Sequence, residues 1–425
     1  MSKLQRPTGT LDYMPEDLAY IDYVTEKFEN AAAAYGFEKY QTPTFEYTQL
    51  FVRGVGESSD IVTKEMFTFV PRKEQGEDKS VTLKPEGTAG MVRLYIQEGL
   101  KSKKPPVKMY YLTPCFRNER NQKGRFKEFH QLGVEEIGSG SPTTDAEVIA
   151  LAATFFKALG ILDDISLEIN SVGTATTRKL YNEKLKAFLK PHYEKLCPDC
   201  KVRYEKNPMR VLDCKEKSCA MITKDAPLIT DNLSKEEQRD FERVKKLLDI
   251  ADLKYTVNKR IVRGLDYYSG TAFEFLADSE TGAQAVCGGG RYDGLVELLG
   301  GGDESGVGFA IGTERLVNML KEKGKLPAID KKCDLYIAAI GDLAEEKAFE
   351  ICTELREHGI YADMGHMGKS LKAQMKHASS INAKYVLILG DEELANKTAP
   401  LRDMDSSEQK ETKLDMQVIL SEIKK

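Results

Sequence analysis

No run of apolar residues in this chain of 425 approaches the roughly 20 needed to cross a bilayer, which excludes a helical membrane span. The opening stretch, Met1 to Thr10, holds no apolar core of the kind a secretory leader needs, so a cytoplasmic protein is expected. Positive charge is not in excess either, since the formal net charge is −5. A general nucleic-acid coat is thereby excluded, and any RNA contact has to come from local patches of Lys and Arg. There is no Walker-type loop ending in Gly-Lys-Ser or Gly-Lys-Thr, which removes a P-loop nucleotide site. The eight cysteines, without a leader, argue for thiols or metal ligands rather than disulfides.

What is present describes a soluble globular chain: 41% of residues are apolar and 30% charged. The length suggests two or three domains. Residues 15–35 have helical spacing in Leu18, Ile21, Val24, Phe28 and Ala32, with Pro15, Glu16 and Asp17 suited to a first turn and Gly36 to a stop. Residues 37–45, around Pro43, read as an edge-type strand. Apolar strands are expected over 107–116 and 129–137, separated by a charged loop, with a capping box at Thr144 and Glu147 before a helix over 148–159. Residues 174–254 turn Lys- and Glu-rich with helical periodicity and read as an insertion into the sheet. After a linker with Gly324 and Pro327, strand-like and helix-like segments alternate, which indicates a separate small α/β domain. One of its helices is expected to present Lys369, Lys372 and Lys376 on one face, either to phosphates or to solvent.

Several segments carry chemistry. Arg117 closes an apolar strand just before the charged loop, and Arg315 opens a helix after the glycine-rich strand that starts at Gly306. Two arginines on rigid elements can hold the α- and γ-phosphates of a bent ATP, although each alone also fits a surface ion pair or tight packing. Ahead of Arg117, Glu86, Gly87 and Thr88 form a loop whose carboxylate and hydroxyl can accept from an ammonium group or cap a helix over 89–97. Gln131 and Glu135 alternate on one face of a strand, toward a pocket or toward solvent. The Arg263 to Tyr268 and Gly289 to Leu295 segments are tyrosine- and arginine-bearing loops that would equally suit a protein interface. Cys197, Cys200, Cys214 and Cys219 have spacing compatible with structural zinc and also with four reduced thiols, so no metal ligand is assigned.

In this order, the Arg117 and Arg315 segments resemble motifs 2 and 3 of class II aminoacyl-tRNA synthetases, and residues 36–46 resemble motif 1, which builds the dimer interface in that class. The Arg263 and Gly289 segments resemble the two signatures of histidyl-tRNA synthetases, a class IIa family, over almost the full chain. Asn118 and Lys84 depart from the commonest family wording at positions with no direct ligand role.

The resemblance implies an α/β (α+β) fold. An antiparallel-sheet catalytic core would span 1–325, with a helical insertion at 174–254 and an α/β anticodon-binding domain at 329–425. It implies that histidine is held by Glu86, Gly87, Thr88, Arg117, Gln131, Glu135, Arg263, Tyr267 and Tyr268, with Glu86, Thr88 and Gln131 at the α-amino group and Glu135 and Tyr268 at the imidazole. Arg117 and Arg263 would be the catalytic pair at the α-phosphate, Arg315 would take the γ-phosphate, and Arg125 would assist at the phosphates or the tRNA end. Arg120, Gln122 and Lys123 would face the tRNA acceptor end. The implied substrates are L-histidine, ATP with Mg²⁺ and histidine tRNA; a homodimer is implied, with no organic cofactor. Non-catalytic paralogues that regulate histidine biosynthesis share this core, but should lack the full arginine set and the tail domain.

Overall fold

The computed structural model describes residues 3–57, 59–71, 79–119, 124–214, 216–262, 265–278, 283–329 and 332–424. It divides into two compact units, 1–327 and 328–425. Among the described residues, no helix is long and apolar enough to cross a membrane.

The first unit is built on an eight-stranded sheet. Its spatial order is Glu38–Lys39, Val107–Phe116, Glu128–Ile137, Gly306–Gly312, Gln284–Arg291, Ser269–Ala277, Ile165–Ser171 and Tyr255–Val257. The interior pairs are all antiparallel, and the two short edge strands join in parallel. Alternation along each strand gives the sheet two different faces. Leu132, Val134, Phe309 and Ile311 point to one face and pack with Val24, Phe28, Phe155 and Leu316, which come from three covering helices, Pro15–Ala34, Pro142–Ala158 and Thr313–Glu322. Tyr111, Gln131, Gly133, Glu135 and Gly308 occupy the other face, since residues directly opposite in register share a side. This second face carries the cleft.

Local chemistry explains most element boundaries. Pro15 sits in the first turn of its helix with Glu16 and Asp17, where no N–H partner is needed and negative charge favours the helix start. The helix expected to follow a Thr144–Glu147 capping box begins earlier, at Pro142, with Ser141 as its cap accepting from Thr143 N–H. Proline at the first helical position set that start, which leaves Thr144 inside the helix. The single strand expected over 37–45 is two short ones, Glu38–Lys39 in the large sheet and Phe45–Tyr47 in a separate three-stranded sheet. Pro43, lacking an N–H, lies where the chain leaves one sheet for the other.

The 174–254 region is helical, from Ala175–Leu189 to Lys235–Ile250; the latter starts with a full capping box between Ser234 and Glu237. The second unit has its own five-stranded sheet in the order Ala362–Met364, Leu335–Ala339, Tyr385–Leu389, Thr398–Asp403, Gln409–Lys413. Its first three strands are parallel and the last two antiparallel. Its lysine-bearing helix starts at Leu371 after the cap Ser370, so Lys369 precedes it and only Lys372 and Lys376 lie on it.

Candidate active site

The second face of the large sheet opens into a cleft of about 1080 Å³, counted to its open mouth. Glu86, Thr88, Arg117, Arg125, Gln131, Glu135, Tyr267, Tyr268 and Arg315 all line it. Gly87 stands behind this wall and donates its N–H to Gln131 Oε1 at 3.1 Å. Arg263, Arg120, Gln122 and Lys123 lie outside the described residues.

Glu135 defines the deep end. It is 1% exposed, and its two carboxylate oxygens accept from Tyr111 Oη at 3.1 Å and Tyr292 Oη at 2.7 Å. Burial pushes its carboxyl up to about 8, against the opposing hydrogen bonds from Thr88, Tyr292 and Tyr111. The acid fits because its cross-strand neighbour is Gly308: a Cβ there would collide with Glu135 Oε2 and with the Val134 carbonyl. Gly133 similarly leaves room for the Tyr111 ring. Tyr267, Tyr268 and Tyr292 form an aromatic wall, with ring centroids 4.7 Å apart for the first pair and 5.9 Å for Tyr267 and Tyr292.

Glu86 is also buried, and its oxygens accept from the N–H groups of Thr88 at 2.8 Å and Ala89 at 2.9 Å. It therefore caps the helix Thr88–Gln97. Burial raises its carboxyl above the usual range, while these two N–H donors oppose the shift. A carboxylate has about four acceptor sites, so capping does not exhaust it. Capping a helix and holding an ammonium group are thus compatible. The Gln131 oxygen accepts from Cys115 Sγ (3.4 Å) as well as from Gly87, which ties the strand to this turn.

The opposite end is cationic. Arg117 Nε donates to the Pro85 carbonyl at 2.8 Å, and its plane lies over the Phe129 ring, 5.3 Å from the centroid. Arg125 pairs with Glu119 at 2.7 Å, and the same carboxylate lies 3.7 Å from Arg117. Arg315 donates to the Ala285 carbonyl at 2.8 Å. Burial, followed by the proximity of Arg125, holds Arg315 below the ordinary guanidinium range; Glu119 opposes this and Arg117 adds to it. Arg125 and Arg117 thus bear on Arg315, and with Glu119 and Glu65 as the neighbouring carboxylates the three arginines still leave positive charge for an anion.

The neighbouring Glu314 is committed elsewhere: it accepts from the His130 N–H at 2.9 Å and Tyr13 Oη at 2.6 Å, and pairs with His130 Nδ1 at 2.8 Å. Arg291 does not line the cleft; it forms a buried ion pair with Asp145 and donates to the Ser139 and Ser141 carbonyls. Tyr111, Tyr292 and Glu119 were not singled out from the sequence as site residues. The signal that could have found Tyr111 is its place two residues before Thr113, which puts it opposite Gly133 on the face of Gln131 and Glu135.

A family model described as histidyl-tRNA synthetase matches residues 9–316, and one described as anticodon binding domain matches 334–425. The histidine–tRNA ligase of Acetivibrio thermocellus is 46% identical over 412 residues, 97% of each chain. That of Caldanaerobacter subterraneus subsp. tengcongensis is 48% identical over 410 residues, 96% of this chain and 97% of the relative. Among solved structures, apo histidyl-tRNA synthetase of S. aureus superposes with a TM-score of 0.83 at 37% identity, covering 98% of this chain and 99% of that one.

Proposed function

The chain belongs to the histidyl-tRNA synthetase family, and from that premise we propose how its cleft divides the work of the family's reaction. That reaction is the ATP-dependent charging of histidine tRNA: L-histidine is activated as histidyl-adenylate and transferred to the terminal adenosine of the tRNA. One observation carries the division: a single cleft combines a buried acid between two tyrosines with three mutually close arginines.

The Glu135 end takes the side chain of histidine. A neutral imidazole offers one donor and one acceptor, and Glu135 with the Tyr268 hydroxyl matches both. Because Glu135 is held up to about 8, it can keep a proton near neutrality and donate it to the imidazole acceptor nitrogen, or accept from the N–H when ionised. An isostere without these nitrogens would leave Glu135 and its tyrosines unpaired, and is rejected on that account. Glu86 and Thr88 accept from the α-ammonium group, with Gln131 holding the Gly87 turn behind them.

The arginine end takes ATP, which arrives with Mg²⁺ on its phosphates. Arg117 is fixed by the Pro85 carbonyl and the Phe129 face, so its terminal nitrogens are oriented before the α-phosphate arrives. Arg263 joins it as the second α-phosphate cation, Arg315 holds the γ-phosphate, and Arg125 gives up part of its pairing with Glu119 to assist. The histidine carboxylate attacks the α-phosphorus in line and expels pyrophosphate; the tRNA ribose hydroxyl then attacks the activated carbonyl and expels AMP. Positioning and charge supply the catalysis. Arg120, Gln122 and Lys123 face the acceptor end of the tRNA, and the second unit meets its anticodon.

The protein acts as a cytoplasmic homodimer. Phe45, Tyr47, Phe69 and Val70, each about half exposed around the small three-stranded sheet, supply an apolar surface for the partner. Amino-acid-dependent ATP–pyrophosphate exchange tests the reading. Exchange should appear with L-histidine and stay at background with the other amino acids; no histidine-dependent exchange, or equal exchange with another amino acid, would overturn it.

A further inference from the structure

The insertion holds four cysteines that the cleft does not use. Cys197 is the N-cap of the helix Pro198–Lys206, and Cys200 lies in its first turn. Cys214 follows the short turn Pro208–Val211, and Cys219 lies in the helix Lys217–Thr223. Three separate segments thus bring their sulfurs together, and all four Sγ atoms lie within 4.8 Å of one another. Cys200 and Cys219 are buried, and the other two are partly covered.

The spacing of the sulfurs is informative. Cys197 Sγ and Cys214 Sγ are 3.8 Å apart. This is far beyond a disulfide bond of about 2.05 Å. It matches the edge, about 3.8 Å, of a tetrahedron whose centre lies about 2.3 Å from each corner, the usual zinc–thiolate distance. Backbone N–H groups are aimed at the sulfurs: Cys197 N–H donates to Cys219 Sγ at 3.3 Å, Cys200 N–H to the Cys197 sulfur, and Glu216 N–H to the Cys214 sulfur. The Arg203 guanidinium lies near Cys200 and Cys214, where it can offset the charge of a four-thiolate centre. Neutral thiols are weak hydrogen-bonding groups and give no reason for this convergence.

We propose that Cys197, Cys200, Cys214 and Cys219 bind one structural zinc ion that knots the insertion into a rigid body. An all-sulfur tetrahedral set selects a soft metal, and four protein ligands close the coordination sphere, as in structural rather than catalytic zinc sites.

The knot matters because of what the same segment touches. Arg203 and Arg210 reach Asp60 at 2.9 and 3.4 Å, and Asn207 Nδ2 donates to Asp266 Oδ1 at 2.7 Å. Asp266 precedes Tyr267 and Tyr268, and Cys200 and Cys219 share a packed cluster with these two tyrosines. The metal therefore braces the insertion surface that supports the tyrosine wall of the cleft. The assignment of the metal itself does not depend on the reading of that cleft.

Elemental analysis of the full-length protein, purified without chelator and desalted, should find about one zinc per chain. A thiol-specific mercurial should release that zinc as four thiols titrate. The Cys214→Ser/Cys219→Ser double variant should lose the metal and melt at lower temperature, while Cys352→Ser, in the core of the second unit, should keep the metal. Metal-free wild-type protein that binds no zinc after exposure to excess zinc and desalting would overturn the proposal. So would iron in place of zinc, or zinc retained by the double variant, which would mark an adventitious ion. Because the wild-type measurement stands by itself, a double variant that fails to fold leaves the proposal testable.

Discussion

Replacing Glu135 by Gln removes an acid that the fold keeps against its own charge. The residue is 1% exposed, and burial raises its carboxyl from 4.5 to about 8. In the unfolded chain the proton is lost near the lower value, and in the folded protein near the upper one. Between them the folded state binds a proton that the unfolded state has released, so stability falls as pH climbs through this window. The full penalty, reached above about pH 8, is on the order of 5 kcal/mol at 1.36 kcal/mol per pH unit. The amide introduced by Glu135→Gln is neutral throughout and escapes it. The variant should therefore gain on wild type by several kcal/mol between about pH 5 and about pH 8.5. Denaturant unfolding at a series of pH values measures this, followed by circular dichroism because the chain has no tryptophan. Glu136, pushed up to about 7 by burial, slopes the same way in both proteins and cancels in the difference. Two parallel stability curves, or a variant that loses ground as pH rises, would refute the reasoning.

Four further outcomes can be checked separately. Tyr292→Phe removes a 2.7 Å donor to Glu135 and should raise the KM for histidine about 2- to 13-fold, since a hydrogen bond between neutral groups contributes about 0.5–1.5 kcal/mol; steady-state exchange kinetics would show it. Arg117→Lys keeps the charge but loses the Pro85 anchor and the Phe129 stack, so the exchange rate should fall about 100-fold while the histidine KM moves less. Gly308→Ala places a methyl against Glu135 and the Val134 carbonyl; isothermal titration should show histidine binding lost even where the variant folds. Glu314→Gln removes the hydrogen bond that raises His130, whose contribution is full below about 6.5 and lost as pH rises through the folded value. The variant should accordingly cost more stability near about pH 5.5 than near about pH 8 in the same unfolding assay.

What was legible in the sequence follows the strength of local signals. The strand Val107–Phe116 begins and ends as its apolar run does, with one face buried and the other half-buried. Pro15 marked a helix start correctly, whereas Thr144 misled because Pro142, two residues earlier, was the stronger first-turn residue. The hairpin Thr398–Asp403 with Gln409–Lys413 gave no alternating pattern, since its outer strand is polar and almost wholly exposed. In the cleft, Glu86 was legible as a carboxylate on a glycine-turned loop, and Gln131 and Glu135 by their alternation on one strand face. Tyr111 did not, because one tyrosine in an apolar strand looks like core; its partnership with Glu135 depends on the register that sets it opposite Gly133. The cysteine spacing fits free thiols as well as zinc, and what the sequence could not show is that the fold brings the four sulfurs within 4.8 Å.

The most direct measurement on the cleft is ATP–pyrophosphate exchange with histidine and ATP varied independently in the Glu135→Gln and Arg315→Ala proteins. A cleft with an imidazole end and a phosphate end predicts a raised KM for histidine with ATP nearly unaffected in the first, and a raised KM for ATP with histidine nearly unaffected in the second. If both substitutions raised the same KM, or left both unchanged, the division of the cleft would be contradicted.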